Sequence, residues 1–174
     1  MDSFKELASR RRSHRKYSSQ PVTEEELKTI LGAALMSPTA KGLRKWHFVV
    51  TQDQERISRL GGIRTFGSSF LAGAPAVIAV LGEPSSQEMW IEDGAIAAVS
   101  MQYQAEDLGL GSCWCQVRGR ESCEEGVSAE ELVRRILDVG EKYSVLCLVA
   151  VGHPEDVRQP QDEAALKWDQ VEWK

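Results

Sequence analysis

The chain is 174 residues long, 42% hydrophobic and 27% charged, with a formal net charge of -5: a globular composition, enough for one core and short for two. The acidic balance argues against a dedicated nucleic-acid binder, and the longest apolar stretch, residues 72–81, is broken by Gly73 and Pro75 and falls far short of the ~20 residues that cross a bilayer. The polar N-terminus, Met1 to Glu6, does not read as a secretory signal, so a cytoplasmic protein away from the membrane is expected. Cys113, Cys115, Cys123 and Cys147 have neither zinc-ligand nor disulfide-framework spacing and read as reduced core thiols.

Taken in chain order, residues 3–12 read as a short amphipathic helix running into a cationic end. Thr23-Glu24-Glu25-Glu26 is a capping box that opens a helix with Leu27, Ile30, Leu31, Ala34 and Leu35 on its apolar face, and Pro38 ends it. Residues 46–51 read as a buried strand and 53–60 as a polar helix broken at Gly61-Gly62. Residues 64–73 lean towards helix. A second buried strand follows at 76–81, then a long helix at 91–108 with Asp93 in its first turn and Gly109 at its end. Its Gly94, Ala95, Ala97, Ala98 and Ser100 are small enough for another helix to approach. Residues 112–118 form a third strand, Ser128 caps a helix ending near Leu137, and residues 143–152, apolar throughout, form a central fourth strand. The charged tail after His153 carries Trp168, Val171 and Trp173, anchors for packing on its own chain or on another subunit. This order predicts a single α+β domain over residues 1–174, a sheet covered by helices.

Three segments carry candidate chemistry. The first, residues 10–16, places five Lys or Arg within seven residues. Guanidinium groups grip phosphate through paired donors, and Ser13 adds a hydroxyl; taken alone, a solvated basic helix end is the commoner meaning of such a run. The second is the loop Ser37-Pro38-Thr39-Ala40-Lys41-Gly42-Leu43-Arg44-Lys45 before Trp46, whose amides and Thr39 hydroxyl suit the polar edge of a planar ligand or simply connect two elements. The third, Leu108 to Gln116, has glycines that permit close backbone approach, or else serves as a helix cap and a core aromatic. No strand leads into GxGxxG, no P-loop is present, and no nucleophile and base pair is visible. A protein whose cofactor carries the chemistry needs none.

In this order the segments resemble the nitroreductase family of flavoproteins. The resemblance runs through Arg11-Arg12-Ser13-His14-Arg15-Lys16-Tyr17, Pro21, residues 37–50, the stretch from Asp93 to Trp114 and Gly152-His153-Pro154. It covers essentially the whole chain. It implies a central, mainly antiparallel sheet flanked by helices and an intertwined homodimer with FMN at the interface. Arg11, Arg12, Ser13 and Arg15 would then hold the FMN phosphate, while Pro38, Thr39, Ala40 and Gly42 approach the flavin from the second subunit. Amides near Gln116 and Val117 would face flavin N5 and O4, and a late basic residue, Lys167 or Arg158, would reach the phosphate. The implied activity is hydride transfer from NADH or NADPH to a small acceptor, a nitroaromatic or quinone, by a ping-pong mechanism. A flavin-binding or sensory protein with little turnover is the alternative, and an anion- or nucleic-acid-binding module a more distant one. The sequence departs from the family pattern where Gly42, Arg44 and Lys45 replace the usual asparagine, glutamine and proline.

Overall fold

The computed structural model describes residues 3–174; Met1 and Asp2, the start of the polar N-terminus, lie outside the described residues. Helices α1 (Phe4–Arg10), α2 (Glu24–Leu35), α3 (Gln54–Gly61), α4 (Trp90–Asp107) and α5 (Ala129–Leu137) alternate with strands β1 (Trp46–Thr51), β2 (Ala76–Gly82), β3 (Gly111–Gln116) and β4 (Ser144–Gly152). Capping chemistry sets several starts. Thr23 accepts from the Glu26 amide while Glu26 reaches back, Ser3 and Glu6 make the same reciprocal pair, and Asp53 and Ser128 cap α3 and α5. Each exchange satisfies amides that a helix start otherwise leaves orphaned.

The strands form one sheet in the order β1-β2-β4-β3, antiparallel at every pairing. Because side chains alternate across a strand, β2 sends Ala76, Ile78 and Val80 to a core shared with α2 and α4. It sends Val77, Ala79 and Leu81 to a second core with α3 and α5. Every residue of β2, and all of β4 except Ser144, is buried. Fully buried Ile30, Ile57, Ile78 and Leu148 each contribute about 1.5–3 kcal/mol by leaving water.

Two elements differ from expectation. The strand at Trp46–Thr51 is an edge strand and only half-buried, because β2 covers one side alone and its apolar run faces helices only in part. Within residues 64–73, only a 3-10 turn at Ser69–Gly73 is helical; Gly67 at φ 84 and the Ser68 hydroxyl, which donates to the Gly61 carbonyl at 2.9 Å, bend the rest into a turn. The tail first runs along α1, where Ser9 and Gln161 exchange hydrogen bonds at 2.8 and 3.2 Å. It then carries Trp168 and Trp173 out into solvent, 64% and 86% exposed. Among the described residues, no helix is long and apolar enough to cross a membrane.

Candidate functional site

The cationic segment leaves α1 at Arg11 and lies beside the start of β3. Ser13 bridges Ser112 in parallel, the His14 amide donates to the Ser112 carbonyl at 3.0 Å, and Tyr17 pairs with Pro154. Below it, His14 Nδ1 stands 2.8 Å from Asp156 Oδ1, the Arg15 amide donates to Asp156 Oδ2 at 3.2 Å, and the Arg158 guanidinium donates to the same oxygen at 2.8–3.0 Å. Burial resists charging Asp156, but His14, the Arg15 amide and Arg158 together hold its carboxyl down at about 2. Charge-assisted bonds of this kind outweigh the desolvation of a partly buried carboxylate.

The guanidinium groups of Arg11, Arg12 and Arg15 have no carboxylate in ion-pair range among the described residues. Arg12 donates to the Gln159 carbonyl, and Arg15 lies over the Phe70 ring at 5.9 Å. Burial pushes the Cys113 thiol up, and the nearby Arg15, Ser13 hydroxyl and Arg11 only partly offset that rise. The structure thus brings Arg11, Ser13 and Arg15 round one point at the head of β3. Lys167 is not in this group: it is exposed on the tail, and its side chain has no hydrogen-bond or ion-pair partner among the described residues. Arg158 is committed to Asp156 instead.

Beyond Ser112 the outer side of β3 is an open edge. The Val117 amide donates inward to the Leu146 carbonyl at 3.3 Å, so by alternation the Gln116 amide points outward. The two amides therefore differ in direction: Val117 donates into the sheet, and Gln116 points outward. Arg64 donates to the Gln116 carbonyl at 3.1 Å, and the Gln116 side chain is fixed between the Trp114 indole and the Arg118 carbonyl, both at 2.9 Å. From Ser112 to Gln116 the edge is about 13 Å long.

The loop before β1 is held from α4. Asp93, 3% exposed, accepts from the Ala40 amide at 2.8 Å and from Gln87 Nε2 at 3.0 Å. Pro38 is exposed, Thr39 Oγ1 accepts from the Arg44 amide at 3.1 Å, and Gly42 takes φ 64 with open space where a Cβ would stand. Lys41 and Arg44 are also left-handed, at φ 54 and 52. Within one chain this loop sits at the β1 edge and the arginine segment at the β3 edge, with β2 and β4 between them.

Cys113, Cys115 and Cys147 are buried while Cys123 is exposed, so the expectation of core thiols fails at Cys123, which sits in the loop between β3 and α5. Burial pushes Cys115 up to about 11 and Cys147 well above its ordinary value, leaving both as protonated core groups rather than nucleophiles. Three supporting residues escaped the sequence reading. Asp156 had a signal, two residues past Pro154; Asp93 was read only as a helix-start acid; Arg64 reaches Gln116 across a turn that no local pattern predicts.

The fold and site define an α+β protein in which a cationic segment lies at the outer edge of an antiparallel sheet. The sequence profile of the Nitroreductase family matches residues 8–63 and 63–153. Two curated relatives named "Putative NADH dehydrogenase/NAD(P)H nitroreductase" come from Archaeoglobus fulgidus and Methanothermobacter thermautotrophicus. The first is 34% identical over 84% of this chain and 82% of its own length, and the second 31% over 84% and 74%. A solved structure, described as an FMN-dependent nitroreductase from Clostridium difficile R20291, superposes with a TM-score of 0.93 at 39% identity, covering 97% of each chain. The chain belongs to the nitroreductase family.

Proposed function

We infer that this protein is an FMN-dependent oxidoreductase that takes hydride from NADH or NADPH and passes electrons to a small acceptor such as a nitroaromatic or quinone. One observation carries the reading: Arg11 and Arg15, without carboxylate partners, stand with Ser13 at one end of the open β3 edge, and the outward Gln116 amide stands about 13 Å along it. That separation suits a phosphate and a flavin ring joined by a ribityl chain, so the residues present fit FMN. The names of the relatives, one FMN-dependent and others NAD(P)H nitroreductases, support the same assignment.

In this reading Arg11, Arg12, Ser13 and Arg15 bind the phosphate by paired charge-assisted bonds. The Gln116 amide donates to the ring edge where negative charge grows on reduction, a fixed dipole that costs no reorganisation. When bound, FMN supplies the two-electron chemistry. No side chain acts as nucleophile or general base. A single exposed face serves reductant and acceptor in turn, which gives ping-pong kinetics.

The second half of the site comes from a second copy of the chain, as Pro38, Thr39, Ala40 and Gly42 lie too far from the β3 edge of their own chain. A homodimer also gives cover to Leu35, Met36, Ile96, Val99, Trp168 and Trp173, all exposed. The cytoplasm, where reduced nicotinamides are replenished, is the setting for this activity.

The test is an absorbance scan of purified protein with excess FMN, followed by anaerobic titration with each nicotinamide. A bound flavin band that bleaches and returns with a quinone supports the function. A colourless protein overturns it, and a flavin that no nicotinamide reduces points to a binding or sensory protein.

A further inference from the structure

Resting on the flavin reading above, we propose that the loop between Thr39 and Trp46 is a cationic recognition site for a phosphate or carboxylate on the molecule that exchanges electrons with the cofactor. Lys41, Arg44 and Lys45 are all exposed. None has a carboxylate in ion-pair range among the described residues, and Lys45 Nζ meets only the Ser86 carbonyl, at 3.4 Å. Three unpaired cations within five residues make a local positive patch in a chain of net charge -5, the sign that attracts an anion.

The backbone holds them in a defined shape. Lys41 and Arg44 adopt φ 54 and 52, a left-handed conformation that side chains with a Cβ rarely take. It persists because the loop is tied at both ends: the Ala40 amide to buried Asp93, and the Arg44 amide to the Thr39 hydroxyl. Strain held this firmly beside a candidate site is a reason to look for a role in the side chains it displays.

Position separates this charge from the phosphate cradle. The loop enters β1 at Trp46, which is level with Gly82 of β2, and Gly82 is level with Ser144 of β4. That is the sheet end at which β3 finishes with Gln116. Arg11, Ser13 and Arg15 are at the other end, beside Ser112. In the two-copy site proposed above the loop approaches the flavin, whose phosphate Arg11, Ser13 and Arg15 already hold, so its cations serve an anion other than the cofactor's own phosphate. Two sources share this chemistry: the 2′-phosphate of NADPH and an acidic group on the acceptor.

The experiment compares wild type with the triple variant Lys41→Gln, Arg44→Gln, Lys45→Gln, both loaded with FMN. One arm measures kcat/KM for NADPH and NADH with a neutral quinone. The other uses 4-nitrobenzoate and 4-nitrobenzyl alcohol with a fixed reductant. The variant is expected to lose about tenfold for the member of one pair that carries the additional anionic group, NADPH or 4-nitrobenzoate, with its counterpart unchanged and the flavin still bound; the arm that responds names the source. Ratios unchanged within twofold in both arms overturn the proposal, as does an equal loss for both members of each pair. A wild-type protein that binds no FMN overturns the flavin reading, a failure visible as absent colour before any ratio is measured.

Discussion

His14 and Asp156 meet at 2.8 Å although 142 positions separate them in the chain, and this contact ties the cationic segment to the turn that follows β4. Asp156 also takes the Arg15 amide and the Arg158 guanidinium, so the carboxylate sets the backbone from which Arg15 projects. Its pKa lies at about 2, below the ordinary value near ~3.9. A depressed carboxyl stabilises the fold above its unfolded pKa, and that contribution is lost as pH falls from ~4 towards ~2. Urea unfolding across this window is expected to show a loss of about 1 kcal/mol, allowing for solvent screening of the partly hydrated group. Asp156→Asn should be less stable at neutral pH and lack that part of the acid dependence.

Removing a phosphate ligand should cost affinity without unfolding the chain. Arg15 is exposed and makes no ion pair, so Arg15→Gln is expected to leave the urea midpoint nearly unchanged and weaken FMN binding by tenfold or more, about 1.4 kcal/mol or above. Quenching of flavin fluorescence on titration gives the number. Arg12→Ala should weaken binding too, with a stability cost from its lost bond to the Gln159 carbonyl.

The order of helices and strands was legible because caps, apolar periodicity and breakers agree locally along most of this chain. Thr23 and Glu26 cap α2 as their spacing requires, and the apolar run of β4 reports burial on both faces. What was not legible depends on the third dimension. The apolar run at β1 does not reveal that only one side of the strand is paired. The Val117 amide is lost to the sheet because β3 continues its pairing past Gln116, a matter of register rather than of residue type. Asp93, Arg64 and Asp156 act on residues 53, 52 and 142 positions away, beyond any local pattern.

Asp93 is a buried acceptor with two donors on it, and its loss should release the loop before β1. Asp93→Ala leaves the Ala40 amide unpaired and Gln87 Nε2 with only the Ala40 carbonyl, at 3.4 Å, at an expected cost of about 1–3 kcal/mol. Hydrogen exchange at Ala40 should speed up by more than the global destabilisation explains. Asp93→Asn retains one acceptor and should fall between the two.

Gly111 stands where the cationic segment crosses β3. A Cβ there would lie 2.8 Å from His14 Cβ, 2.9 Å from His14 Cγ and 2.9 Å from Pro154 Cβ, closer than packed carbon atoms allow. Gly111→Ala is expected to displace the segment rather than the strand, costing about 1–3 kcal/mol and lowering FMN affinity as well. The open-space neighbour Gly109 has positive φ, so Gly109→Ala should destabilise modestly by backbone strain alone and leave FMN affinity intact.

The remaining prediction concerns the outward face of α4. Ile96 and Val99 are 41% and 43% exposed, yet Ala97, Ala98 and Met101 beside them are fully buried; the helix has one apolar face packed on the sheet and a second that the single chain leaves in water. If a second copy covers that face, Ile96→Glu with Val99→Glu places charge in a dry interface and should convert the dimer to a monomer by sedimentation at micromolar protein. The substitutions touch no residue of the phosphate cradle, so any loss of FMN affinity that accompanies dissociation measures what the partner's loop contributes to the site. A wild-type protein that sediments as a monomer while holding FMN would require a site built from one chain, with the loop before β1 taking no part in cofactor binding.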